Sequence, residues 1–474
     1  MADDIDLLNI ARGLIVAPAG CGKTQLIADA LKRHQGPKPV LILTHTNAGV
    51  VALRARLDKA GVKPSAYRLS TIDGWAIRLI ATFPGRAAYN PTIVTGARPN
   101  YPAIRAAAAS LLKNGHVNDV IAASYARLLV DEYQDCSIRQ HAIVYYASAI
   151  LPACVMGDDM QAIFDFSADD PLAKWGEHVC GHFPAAGTLE TPWRWINAES
   201  QALGAWLLDA RARMIARTPV DLRTLPAHVT WIQLDGTAAD HPTRLEACKT
   251  RALSAAGSVL IIGEGSKPDS QRRFASQTPG AVTVEAVDLR DLVTFAEGLD
   301  LNAGDALQKI ALFAEQLMTN VGANDLLRRT DTILRGAERR AASAAETAAI
   351  AFLNERTYGR VSALLAEIGQ EPGVRAYRPA VLHACIRALN MCNSQEGRSF
   401  RETAVMMREQ NRLLGRPLPR RAVGSTLLLK GLEAEVAVIL NADDLNARNL
   451  YVAMTRGSKK IVVCSRSPLL TPAI

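Results

Sequence analysis

No apolar run in this 474-residue chain approaches the ~20 residues that a helix needs to cross a bilayer. Its start carries Asp3, Asp4 and Asp6 where a leader would carry basic and then apolar residues. No membrane partner and a cytoplasmic location are therefore expected. The eight cysteines are scattered, with no Cys-x-x-Cys pair, so neither a metal site nor a disulfide framework is expected. Internal repeats, low-complexity stretches and nuclease motifs are also missing, so any cleavage would need a partner. Proline is absent from Val282 to Glu371, which favours long uninterrupted helices there.

Hydrophobic residues make up 49% and charged residues 21% of the chain, an ordinary globular balance. At roughly 100–200 residues per domain, the length predicts two to four domains. The net charge of +8 favours an anionic partner without naming one.

Two short stretches carry chemistry. Ala17-Pro-Ala-Gly-Cys-Gly-Lys-Thr24 follows the apolar run Leu14–Val16 and precedes a helical pattern from Gln25 to Lys32. A glycine-rich turn between strand and helix directs backbone N–H groups inward to cradle phosphates. Gly20 and Gly22 permit the tight loop, Lys23 reaches the β/γ-phosphates and Thr24 can ligate Mg²⁺. The first position of the pattern is Ala17 where glycine is usual. The second stretch is Asp131-Glu132-Tyr-Gln-Asp135, fed by the buried-strand run Arg127–Val130. An aspartate at such a strand end can hold magnesium, and the neighbouring glutamate can polarise water.

These strings resemble the superfamily-1 helicases of the UvrD/Rep/PcrA type. Asp131–Asp135 is similar to that family's Asp-Glu-x-Gln-Asp box. Other boxes follow in order: Leu43–Asn47, Ser70–Asp73, Gly157–Phe164, Leu189–Arg194, Lys430–Glu433 and Tyr451–Arg456. The resemblance implies two RecA-like doubly wound parallel-sheet domains of α/β class with helical insertions, using ATP and Mg²⁺ on single-stranded DNA. It implies that Ala19, Gly20, Cys21, Gly22, Lys23, Thr24 and Gln25 hold the nucleotide, with Trp193 on the adenine and Glu433 by the sugar. Gln161 would sense the γ-phosphate, and Arg194 and Arg456 would be arginine fingers, supplied by a second domain that closes. Thr44, Thr46, Asn47 and Thr71 would meet DNA phosphates, and Phe164 and Phe166 would stack on bases. Simple packing is the other reading of the two phenylalanines, and core positions are the other reading of Trp193 and Trp195.

Strand-like runs at Leu14–Val16, Val40–Leu43, Tyr67–Leu69, Leu128–Val130 and Cys154–Met156 place the first domain at 1–190, with a small insertion at about 80–118. A second set, Val229–Gln233, Val259–Ile262, Val282–Ala286, Val436–Leu440 and Ile461–Cys464, places the second at 191–300 and 416–474. Residues 301–415 read as an all-helical insertion. Its Arg328, Arg329, Arg339 and Arg340 are either nucleic-acid contacts or a solvated face. Arg416–Arg421 reads as a linker.

The chain departs from the family at several points. Residues 1–13 hold no adenine-reading glutamine. Asp73 stands where a histidine is usual and would repel a phosphate backbone. Leu427 stands where another histidine is common, and the chain is short. The ATP engine reads as intact and the DNA track as altered. Two readings result: a DNA translocase or helicase in its own right, or a regulatory ATPase subunit serving a partner such as a nuclease. Compact UvrD-like proteins of anti-phage systems such as Gabija resemble the second.

Overall fold

The computed structural model describes residues 5–95, 99–164, 168–286, 288–394, 398–413 and 419–473. The chain divides into two compact units. The first is Met1–Val229 with Leu445–Lys459 and Pro468–Ile474, and the second is Thr230–Asp444 with Lys460–Ser467. The first unit thus runs past residue 190, where a boundary was expected. It keeps helix Gln201–Ile215 and takes in the late helix Ala447–Met454.

The first unit holds a six-stranded sheet of β1 (Arg12–Val16), β2 (Val40–Thr44), β3 (Tyr67–Thr71), β4 (Arg127–Val130), β5 (Ala153–Gly157) and β6 (Ala185–Thr188). Their order across the sheet is β3-β2-β4-β5-β1-β6, all neighbours parallel. β2, β4 and β5 are buried along their whole length, as both-face coverage by helices demands. Successive side chains enter different cores. Val40, Ile42, Leu129, Cys154 and Met156 pack on one face; Leu41, Leu43, Leu128, Val130, Ala153 and Val155 pack on the other. A short antiparallel pair, β7 (Val220–Asp221) with Leu469–Leu470, closes this unit.

The second unit holds another sheet, with β8 (Val229–Gln233), β9 (Val259–Gly263), β10 (Val282–Thr283), β13 (Arg421–Ser425), β14 (Ala434–Ile439) and β15 (Gly457–Ser465) in the order β10-β13-β9-β14-β15-β8. Both sheets are of the doubly wound, RecA-like kind that was expected. Its helical part begins at Arg290 rather than 301 and runs to Leu413 with its own apolar core. It is not all-helical: β11 (Met318–Thr319) pairs antiparallel with β12 (Arg375–Ala376), and Leu469–Leu470 above is β16 in chain order. Arg378, 2% exposed, ties this part to the sheet by forking onto Glu285 at 2.6 and 2.9 Å. Arg328 pairs with Asp325, and Arg329 and Arg340 with Glu346, so those arginines are engaged within the helical part. Of the expected linker Arg416–Arg421, residues 416–418 lie outside the described residues, and Arg421 opens β13.

Residues 80–118 do not stand apart as a subdomain. Helix Tyr101–Lys113 buries Ile104, Ala108, Leu111 and Leu112 in the same core as Trp75, Leu128 and Val130. Arg105 on this helix pins it polarly as well. Its guanidinium forks onto Asp73 at 2.7 and 2.6 Å and reaches Asp170 at 2.7 Å. Asp73 also accepts from Gln140 at 3.1 Å. Burial works against the charged Arg105, but hydrogen bonds and charge from Asp73 and Asp170 outweigh it and raise its pKa. Asp73 is therefore not a bare carboxylate facing a phosphate backbone, which corrects the expectation. Its charge is spent on an internal arginine.

Replacing Asp73 with His, which matches the family pattern, removes one partner of a buried pair. It should destabilise the chain by about 3 kcal/mol in chemical denaturation; a neutral or stabilising effect would refute the assigned role.

His141 is buried, 3% exposed. Its Nδ1 meets Tyr133 Oη at 2.8 Å and its Nε2 meets His182 Nδ1 at 2.8 Å, with His178, Tyr145 and Arg12 packed around the same cluster. Burial, then the neighbouring His182, His178 and Arg12, lower its pKa from 6.5 to about 4. The unfolded chain takes up this proton before the folded chain does. Stability is thus complete above the unfolded value and falls as pH drops from 6.5 towards about 4. Unfolding curves across that window should show His141→Gln less pH-sensitive than the parent.

Candidate nucleotide site and nucleic-acid track

The phosphate loop is built where β1 ends. Gly20 at φ 73° and Gly22 at φ 90° turn the chain into helix Lys23–Arg33. A side chain at Gly20 would lie 2.7 Å from the Trp195 ring, and one at Gly22 would lie 2.9 Å from Trp193 Cδ1. Only glycine fits both the backbone and the space. No side chain caps the helix start, so its N–H groups remain as the donors of an anion cradle. One loop donor is already engaged: Ala19 N–H donates to Tyr451 Oη at 3.1 Å. Cys21 is buried within the loop, and Gln25 is exposed and donates to Asp29. Thr24 Oγ1 accepts from Arg56 at 3.1 Å.

Lys23 Nζ lies 2.9 Å from Asp131 Oδ1 and 2.6 Å from Glu132 Oε1. Burial opposes the ammonium, but contact with two carboxylates outweighs it and holds the Lys23 pKa above its ordinary value. Glu132 adopts φ 55°, a left-handed conformation that costs a non-glycine residue about 1 kcal/mol. That backbone turns the glutamate back towards the lysine. Gln134 Nε2 donates to Glu132 Oε2 at 2.5 Å, and Gln134 Oε1 accepts from the Asp158 N–H at 3.2 Å. Asp158, fully buried, then accepts from Gln161 at 3.3 Å and from Arg211 at 2.7 Å. The polar chain therefore joins the expected residues Lys23, Asp131, Glu132 and Gln161. Gln134, Asp158, Arg211 and Tyr451 were assigned no role from sequence. Gln134 and Asp158 lie inside the recognised boxes. Arg211 sits in an ordinary amphipathic helix that offers no signal.

Trp193 leans over Gly22 and is half-buried, whereas Trp195 is core, its Nε1 donating to the Gly457 carbonyl at 2.9 Å. Arg194 N–H donates to the Gly20 carbonyl at 3.0 Å, and its Nη1 donates to the Thr455 carbonyl at 2.6 Å. Arg456 is 3% exposed and donates from Nε to the Val452 carbonyl at 2.8 Å. It belongs to the first unit, as Lys23 does. The expectation of a finger delivered from a second domain is corrected accordingly. Helix Ala447–Met454 is held in the first unit by Tyr451 on the phosphate loop and by Arg448 on Asp159 at 2.9 Å. Glu433 is exposed in the second unit.

The expected DNA contacts divide. Thr46 caps helix Asn47–Lys59 and Thr71 caps helix Ile72–Thr82 through their hydroxyls, and Asn47 is exposed beside Thr46. Thr44 is 1% exposed, the last residue of the fully buried strand β2 and close to Gly49, so it is a packing residue rather than a surface contact. Phe164 is half-buried, its ring 5.3 Å from His45. Phe166 lies outside the described residues. Leu427 is 43% exposed in the second unit. Among the described residues no group of three or more His, Cys, Asp or Glu side chains is arranged to hold a metal ion, and no helix is long and apolar enough to cross a membrane.

Residues 100–172 match the family described as the UvrD/REP helicase N-terminal domain. This stretch contains Asp131–Asp135, Asp158 and Gln161. No curated protein matches the chain. Among solved structures, the Pif1 helicase from Candida albicans aligns at 11% identity with a TM-score of 0.29, over 56% of this chain and 50% of that one. The alignment thus spans half the length of that structure.

Proposed function

We propose that this chain is an ATP-driven translocase or helicase of UvrD-like type that acts on single-stranded DNA. One observation carries the reading: the Lys23 ammonium converges on Asp131 and Glu132 across 109 residues of sequence. A lysine at the start of an uncapped helix, facing a carboxylate pair, is the charge arrangement that nucleoside triphosphate and a divalent cation require. The glycine cradle and the Asp131 carboxylate fit such a ligand. The helicase-type stretch at 100–172 supports the choice of a motor over other ATPases.

In this reading Ala19 to Gln25 and the helix N-terminus hold the phosphates, and Trp193 covers the base. Thr24 and Asp131 hold Mg²⁺, whose chemistry is to neutralise charge on the phosphate oxygens. Glu132 accepts the proton of the attacking water, oriented by its bond from Gln134. Lys23 leaves the carboxylates for the phosphates, which frees Glu132 for that role. In the same reading Gln161, Arg194 and Arg456 stabilise transition-state charge. For Glu433 the reading keeps the contact with the nucleotide sugar that the resemblance implies.

Glu132→Gln should bind nucleotide yet lower turnover by about 10²–10⁴-fold, since the acceptor for the water proton is lost while Asp131 stays. Lys23→Ala should lose nucleotide binding itself. Steady-state ATPase together with fluorescent-nucleotide titration separates the two; parent-like turnover in Glu132→Gln would remove this site from the account.

On the track, single-stranded DNA should stimulate the ATPase, and stimulation should fade as salt rises. Phe164→Ala should remove most of it while sparing basal hydrolysis, since stacking contributes ~1–3 kcal/mol per base. An ATPase indifferent to every nucleic acid tested would count against the motor and leave the partner-gated regulatory subunit as the better account.

A further inference from the structure

β3 is the outer strand of the first sheet, so one of its edges has no strand partner there. An unpaired edge is normally blunted by charge or covered. Here an open cavity of about 750 Å³ wraps around it, between helices Asn47–Lys59, Ile72–Thr82 and Asn118–Ser124. The floor is apolar, formed by Leu41, Leu69, Leu79 and Tyr125. The rim carries Arg54, Arg68 and Arg78 against one carboxylate, Asp58. All three arginines are exposed. Among the described residues Arg54 and Arg78 form no ion pair, and Arg68 donates to the carbonyls of Pro64 and Tyr67. None of these residues belongs to the nucleotide site or the track.

Three features select the occupant. An edge strand beside a groove accepts an extended chain through main-chain hydrogen bonds. An apolar floor of this size takes a large apolar side chain. The rim has a surplus of positive charge and so prefers carboxylates. Single-stranded nucleic acid would match the charge but needs exposed rings on which bases can stack. Trp75 at 4% and Tyr67 at 6% exposure are withdrawn, and Phe83 and Tyr125 are only partly exposed, so no ring here stands fully open to a base. We propose that this groove is a docking site for an acidic, extended peptide segment of a partner protein, which adds along β3 and inserts an apolar side chain between the helices.

The test uses the full chain and a fluorescein-labelled octapeptide of alternating aspartate and valine with one central phenylalanine, read by anisotropy. A control peptide carries asparagine for aspartate. Saturable binding of the acidic peptide, weakened at least roughly tenfold by Arg68→Glu with Arg78→Glu and by added salt, is the expected result. Val120→Trp, at a surface position of the rim, should weaken binding by filling the groove without changing charge. Equal binding of the asparagine peptide would overturn the proposal, as would full affinity in both variants. A labelled oligothymidine that loses affinity in the double arginine variant, while the peptide does not, would reassign the groove to nucleic acid. ATPase without DNA should be unchanged in every variant.

Discussion

The contact of Lys23 with Asp131 and Glu132 constrains the rest of the first unit. β5 lies between β1 and β4, so the lysine and the carboxylates come from strands that do not touch. Leu14, Val155 and Val130 stand in one row across the three strands. A slip of one residue in either pairing would carry Asp131 away from the loop and would turn every apolar side chain to the wrong core. The cost of separating a buried lysine from its carboxylates is large, because each charge alone is poorly solvated. Register, core packing and the charge triad therefore stabilise one another.

From that triad a continuous polar path runs through Gln134 to Asp158 and on to Gln161 and Arg211. A fully satisfied buried network rigidifies its members, since each partner is costly to leave unpaired. Arg448 and Tyr451 attach a helix from the far end of the chain to the same framework. The phosphate loop is thus braced from two directions, by its own sheet and by a segment more than 400 residues away. The Tyr451 hydroxyl also occupies the Ala19 donor, one of the loop groups that the proposed nucleotide would meet.

Much of this was legible in sequence, and the reasons for the remainder are physical. The phosphate loop and the acidic box are local patterns whose chemistry depends on spacing within a few residues. Strands rich in Leu, Ile and Val, such as Val40–Thr44 and Val259–Gly263, announce themselves by burial. β6 (AAGT) and β13 (RAVGS) do not, because small residues and glycine carry little apolar signal, although β13 is an inner strand of its sheet. The role of Asp73 was misread because its partner, Arg105, lies 32 residues on in a segment with no motif. Thr44 looked like a surface contact because a polar residue at a strand end carries no sign of how deep that strand sits. Arg456 was assigned to a second domain because chain order is a poor guide to a helix that returns to the first unit.

Charge shows the same limit from another side. A net charge of +8 suggests an anionic partner, and the arginine-rich helical segment was the natural place to look. There the arginines meet Asp325 and Glu346, so much of their field is cancelled locally. Arg105 and Arg378 are spent on buried carboxylates that hold helices in place. Arginines count towards recognition only where carboxylates are few and the surface is open. The rim of the β3 groove meets both conditions, yet its three arginines are spread over Arg54, Arg68 and Arg78, on a helix, a strand and a second helix. No window of sequence brings them together. Folding turns a diffuse basic composition into one patch by placing those three elements around a single exposed edge.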